Sequence, residues 1–180
     1  MGAILLGLDL LLSGDSAQPQ VQMRKIDLNK EMQNCLNQPI SAGTQILYFN
    51  PDSMGRATGA TACISPLTGR TDTNSPQDPV GWQSNIGMDR SHVVGRQFGG
   101  KWERDNIIPM GADDNQIGMR NVERTIEGYL AQGDRVFYAG VPTYDIGNGI
   151  RPRGIFMSVG SSDGLTTTFV QNTKWDGVSP

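Results

Sequence analysis

The 180-residue chain holds one histidine and two cysteines, and charged residues make up only 18% of it. Each scarcity excludes something. Cys35 and Cys63 form no CxxC pair and no second histidine exists, so a structural zinc site is ruled out. The two cysteines form one disulfide if the protein is exported and are otherwise ordinary buried thiols. No apolar run is long enough to span a membrane, so no membrane partner is expected. The apolar start, Ala3 to Leu12, is interrupted by Asp9 and has no Lys or Arg before it, unlike a signal peptide. It reads as a segment packed on the core or as the remnant of a longer chain. A net charge of -3 and a pI near 5.0 argue against a surface that is basic throughout. A small basic cleft can still sit on an acidic molecule.

Glycine is plentiful, with 23 copies. Together with 37% apolar residues this describes one globular, turn-rich unit. Gly14 to Gln20 reads as a linker, and residues 21–37 as one helix. A strand-like run, Gln45 to Phe49, precedes an NPDSMG turn, and residues 56–64 suggest a second strand. Residues 65–81 read as a long surface loop. The clearest helix spans about 113–132, capped by Asp113 or Asp114 and stopped by Gly133. Its expected apolar stripe is Ile117, Met119, Val122, Ile126 and Leu130. Arg120, Glu123, Arg124 and Glu127 alternate in sign on another face, as a salt-bridged face would. Arg135 to Val141 and Gly154 to Val159 read as strands. The SSDG turn at 161–164 leads into Leu165 to Val170 as a closing hairpin. This order predicts an α+β fold with an antiparallel sheet. The chain divides into an N-terminal segment and helix, 1–44, and a main domain, 45–180.

The chemistry concentrates around the single histidine. Asp89-Arg90-Ser91-His92 is followed by a glycine-containing stretch ending at Gly99-Gly100. Neutral imidazole suits removal of a proton from water near neutral pH. Asn106 precedes the apolar pair Ile107-Ile108, Asn115 sits at the start of the long helix, and Glu123 follows two turns later. An amide oxygen with a nearby carboxylate suits a hard, water-rich cation such as magnesium.

These residues resemble the DNA/RNA non-specific endonucleases of the ββα-metal, or His-Me finger, class, including streptococcal nucleases and bacterial toxin domains. The resemblance rests on Asp89-Arg90-Ser91-His92, Gly99-Gly100, Asn106-Ile107, Asn115, Met119 and Glu123. It extends to Asp52 through Gly55-Arg56, to Pro79 through Trp82, and to the closing strands, covering roughly residues 45–172. Ser91 departs from the family's frequent glycine before the histidine, and a small residue fits there. The resemblance implies a ββα-metal catalytic core acting on DNA, RNA or both. His92 would be the general base, and Asn115 the ligand of Mg2+, with Mn2+ as a substitute. Glu123 would hold metal-bound water and Asn106 would support the site. Arg56 and Arg90 would pair the phosphate, with Arg70 and Arg96 as further backbone contacts. A catalytically inactive nucleic-acid-binding domain on the same fold is the alternative. The resemblance also implies export or delivery into a target cell and an inhibitor (immunity) protein as partner.

Overall fold

A computed structural model describes residues 26–66, 75–145 and 149–175. The expected linker at 14–20, the apolar start and Arg70 lie outside them. The elements run in this order. Helix α1 (Leu28–Leu36) is followed by strands β1 (Gln45–Tyr48), β2 (Ala60–Ile64), β3 (Met88–His92) and β4 (Ile107–Gly111). A π-helical segment (Asp114–Met119) continues directly into α2 (Arg120–Ala131). Strands β5 (Val136–Thr143), β6 (Gly154–Ser161) and β7 (Gly164–Gln171) close the fold. The fold is α+β, as the sequence predicts.

Five strands form one antiparallel sheet in the order β1-β2-β5-β6-β7, and β3 and β4 form a separate antiparallel pair. Side chains on successive strand residues point to opposite faces. On β5, Val136 and Tyr138 therefore enter one core while Phe137 and Ala139 enter another. The larger core lies between the sheet and a layer made by the β3/β4 pair and α2. It gathers Ala62, Ile64, Ile155 and Met157 from the sheet with Val93, Ile108, Met119, Val122 and Ile126 from that layer. The smaller core is closed by α1, through Met32 and Cys35. Both faces of the central strands are covered, so β5 reads as a nearly continuous apolar run.

Helix α1 is shorter than the segment 21–37, whose first five residues lie outside the described ones. Asp27 starts it, its carboxylate accepting from the Lys30 N–H at 3.1 Å. Cys35 and Cys63 are joined by a disulfide, with Cα atoms 5.4 Å apart, which fastens α1 to β2. Beside it Arg135, buried to 4% exposure, donates to the carbonyls of Pro39 and Gly43 at 2.9 and 2.8 Å.

The long helix departs from expectation at its start. Neither Asp113 nor Asp114 caps it by a side-chain hydrogen bond. Asp114 instead accepts from the backbone N–H and the hydroxyl of Thr173, both at 2.7 Å, tying the helix start to the segment after β7. Ile117 is 61% exposed and does not belong to the apolar stripe. Counting back from Ile126 and Val122 in steps of four places Gly118 on that stripe instead. An added Cβ there would lie 2.6 Å from a methyl of Val170, so only glycine lets the helix approach β7. Ile117 stands five residues before Val122, about 140° around a helix of 3.6 residues per turn, which leaves it off the stripe. Among the described residues, no helix is long and apolar enough to cross a membrane.

Candidate active site

Strand β3 carries Arg90 and His92, and the helix that follows β4 runs alongside it. The two touch at separated points. Asn115 Nδ2 donates to Asp89 Oδ2 at 3.0 Å, and Gln116 Nε2 donates to the same oxygen at 3.0 Å. Further on, an ideal Cβ on Gly95 would lie 2.5 Å from Glu123 Oε1, so that carboxylate rests against the segment leaving β3. Helical rise carries the chain about 12 Å between positions 115 and 123. His92 lies in sequence between the two points of contact, at the end of β3. Asn115 and Glu123 thus meet the chain at Asp89 and Gly95, on either side of His92 in sequence.

Asn106 is fully buried and makes no outward-facing contact. Its Oδ1 accepts from the Val94 N–H at 2.8 Å, and its Nδ2 donates to the carbonyls of Val94 and Lys101 at 3.1 and 2.8 Å. Its own carbonyl accepts from the Val93 N–H at 2.7 Å. From the other side, the buried Tyr138 hydroxyl donates to the Val93 carbonyl at 2.7 Å. Burial holds that phenol well above its usual pKa. The backbone just after His92 is therefore fixed from two sides.

Glu123 is largely buried, and burial raises its carboxyl pKa above the ordinary value. Hydrogen bonds from Gln97 and from Arg120, whose Nη1 lies 3.3 Å away, pull the other way. Arg120 is shared with Glu127 at 2.7 Å. The expected alternating face thus exists in part, with Glu123 turned inward.

The arginines fall into two groups. Arg56 Nε pairs with Asp52 at 2.5 Å, its guanidinium lies 4.2 Å over Tyr144, and Nη1 donates to the Gly149 carbonyl. Arg90 lies 3.8 Å over Trp82 and pairs with Asp78 at 2.6 Å. Arg151 Nε donates to the Gly81 carbonyl at 3.0 Å, so the 149–151 segment links the surroundings of Arg56 and Arg90. Arg96 stands apart, 5.1 Å over Trp102, whose ring also meets the His92 ring with centroids 4.0 Å apart.

Among the described residues, no cluster of three or more His, Cys, Asp or Glu could hold a metal ion. An all-protein carboxylate cage is thus absent from them. A single amide ligand is a different matter. Because Asn115 Nδ2 is committed to Asp89, its Oδ1 is the atom left to face a cation. That donor chemistry fits a hard ion that keeps most of its water.

A family model described as DNA/RNA non-specific endonuclease matches residues 35–162. The chain belongs to that family. It is an endonuclease that hydrolyses phosphodiester bonds. Solved structures share the fold of this nuclease. One is Sda1 nuclease with bound zinc ion, at 22% identity and TM-score 0.63, covering 72% of this chain and 74% of that one. Another is NucA from Streptococcus agalactiae with magnesium ion bound, at 16% identity and TM-score 0.63, covering 73% and 71%. A third, an extracellular endonuclease, has 23% identity and TM-score 0.58 and covers 79% and 85%. No curated protein matches the chain.

Several residues of this neighbourhood carry no separate signal in the sequence. Gln97, Trp102 and Tyr138 reach it only through packing between separate elements, whereas Arg120 meets Glu123 three residues along the helix, as its charged face allows. Asp89 was legible as part of the Asp-Arg-Ser-His run, but not its hold on Asn115.

Proposed function

We propose that this nuclease is Mg2+-dependent and cleaves DNA and RNA without a defined sequence, with His92 as its general base. The observation that supports the reading is the hydrogen bond from Asn115 to Asp89, which ties a polar helix start to the histidine strand and leaves the amide oxygen available as a ligand. Asn115 would hold the ion, with Glu123 fixing its water, and Mn2+ could replace it. When bound, the ion supplies neutralisation of the charge that develops on the phosphate. The magnesium in the Streptococcus agalactiae NucA structure supports that choice.

His92 takes a proton from a water molecule as that water attacks phosphorus. The bond from the water oxygen to phosphorus forms while the bond to the leaving oxygen breaks. Arg56 and Arg90 pair the phosphate oxygens, the flat guanidinium being suited to two parallel hydrogen bonds. Arg96 adds a backbone contact, and Arg70 belongs to the same proposal. Asn106 acts through the backbone it braces. The main domain, 45–180, carries this chemistry.

Free nuclease activity endangers a host, so the enzyme is exported or delivered into a rival cell as a toxin domain, and an inhibitor protein restrains it. An extracellular endonuclease among the structural relatives supports export.

The test is plasmid digestion with Mg2+, with and without EDTA, by the native protein and His92→Ala. Loss of a general base typically costs about 10²–10⁴ in rate. EDTA should abolish cleavage, and His92→Ala should fall by that factor with its circular dichroism unchanged. Cleavage at the native rate by His92→Ala would refute the mechanism.

A further inference from the structure

Trp102 belongs to neither hydrophobic core, although it is one of the chain's largest side chains. It is only half-buried. Its ring meets the His92 ring, with centroids 4.0 Å apart and planes tilted by 60°, and the Arg96 guanidinium. A residue spent on core packing would show the opposite pattern.

The loop that presents this ring is anchored at both ends. Tyr48 on β1 accepts the Lys101 N–H through its hydroxyl at 3.2 Å. The buried Asn106 amide grips the Lys101 carbonyl at 2.8 Å, and the Asn106 N–H closes onto the Glu103 carbonyl at 2.9 Å. Lys101 pairs with Glu103 and Asp105 across the loop at 2.8 and 2.9 Å. The Asn106 side chain that holds Lys101 also holds Val94, two residues beyond His92. One buried amide therefore fixes both the strand end that bears the imidazole and the loop that bears the indole.

We infer that Trp102 is a positioning residue for this reaction: its indole is a wall that confines the His92 ring to the orientation in which it receives the proton of the attacking water. This rests on the reading of His92 as general base. An imidazole at a strand end turns about two side-chain torsions, and a fixed aromatic face removes most of that freedom. Misplacement of a reacting group by about 1 Å can cost as much as 10²-fold in rate. The arrangement also explains why Asn106 matters to the site although it is buried.

A double-mutant cycle decides the matter. The native protein, Trp102→Leu, Trp102→Phe, His92→Ala and His92→Ala/Trp102→Leu are compared on a duplex oligonucleotide with Mg2+. Melting curves run on each. Trp102→Leu should lower kcat by roughly 10- to 100-fold with KM unchanged. Trp102→Phe, which keeps an aromatic face, should recover most of that loss. In the His92→Ala background the leucine substitution should cost nothing further. If Trp102→Leu fails to fold, Trp102→Met takes its place in the cycle. An equal loss in both backgrounds overturns the inference, as does a change confined to KM, which would make the indole a surface for substrate. Native kcat in Trp102→Leu also overturns it. Native activity in His92→Ala would instead remove the general base itself, a separate failure.

Discussion

Asn115 Nδ2 and Asp89 Oδ2 lie 3.0 Å apart, and this contact joins the start of the helix to the strand that carries His92. An amide in this position cannot rotate to present its nitrogen outward without losing a charge-assisted hydrogen bond, worth about 1.5–3 kcal/mol. Asp89 thus sets which end of Asn115 would meet a cation.

Asn115→Ala should therefore raise the Mg2+ concentration needed for half-maximal cleavage, and Asp89→Ala should do the same through the freed amide. Loss of a group that orients a metal ligand typically costs about 10- to 100-fold. Activity measured across a Mg2+ titration checks both. A native Mg2+ requirement in Asn115→Ala would remove it from the metal site. Asp89 also serves Gln116, so Gln116→Ala is the control that separates helix docking from amide orientation.

Burial of Glu123 comes at a cost to stability. Its folded pKa is raised, first by burial, above the ordinary carboxylate value. The unfolded chain has no such burial, so folding favours the protonated form. The group's favourable contribution is complete below the unfolded pKa and is lost as pH rises through the raised folded value. At neutral pH the ionised carboxylate therefore works against the fold, although Arg120 and Gln97 offset part of this. Glu123→Gln should melt higher than the native protein at pH 7. That advantage should shrink as pH falls toward the ordinary carboxylate range. The same variant should cleave more slowly. Thermal melts across pH 4 to 8 with parallel activity measurements would show the two effects in opposition, and a lower melting temperature at pH 7 would contradict the argument.

How far the sequence discloses this site can be seen residue by residue. The strands β5, β6 and β7 were legible because apolar runs bounded by turn residues mark them, and Ser161 pairs with Gly164 across the turn as expected. The β3 strand, MDRSH, was not, because four of its five residues are charged or polar, on both faces, and its pairing with β4 is decided by packing. The motif there was visible as chemistry without its backbone. The misplaced Ile117 has a local cause. Five residues from Val122, it falls outside a stripe of period 3.6, and the position that belongs there is Gly118, where Val170 leaves no room for a side chain. Trp102 was invisible because its meeting with His92 depends on a loop anchored by Tyr48, more than fifty positions away.

The disulfide between Cys35 and Cys63 closes a loop of 28 positions between α1 and β2. Loop-closure entropy for that span gives roughly 3–4 kcal/mol of stabilisation. Removing it also loosens the pocket in which Arg135 is held, since Arg135 Nη1 lies 3.0 Å from Cys63 Sγ. A Cys35→Ser/Cys63→Ser variant should melt lower by roughly 10 °C. The bond lies in the α1 layer, on the sheet face opposite the β3/β4 pair, so cleavage at low temperature should persist. Melting in the presence and absence of reductant measures the first, and plasmid digestion the second. An unchanged melting temperature on full reduction would show that the bond contributes nothing to the fold.

The last prediction concerns what the enzyme reads. Arg56 and Arg90 are already engaged with Asp52 and Asp78, and each lies over an aromatic ring. Such preset guanidinium groups suit a phosphate, whose position repeats along any strand. Phosphate contacts position the substrate and carry no direct sequence information. The exposed positions of α2 include Asn121 and Arg124, but these are tied to each other at 3.3 Å. The helix is therefore poorly furnished to read base edges. A defined duplex should yield a ladder of products, and single-stranded DNA and RNA should be cut as well. Cleavage at subsaturating substrate should weaken steeply with added salt, because binding releases counterions from the nucleic acid. With a net charge of -3, this attraction is local to these arginines rather than spread over the surface. Arg90→Ala and Arg56→Ala should each flatten the salt dependence while leaving the product pattern unchanged. Discrete bands from the duplex would instead mark a site-specific enzyme, and RNA left intact beside degraded DNA would narrow the substrate to DNA with the same residues at work.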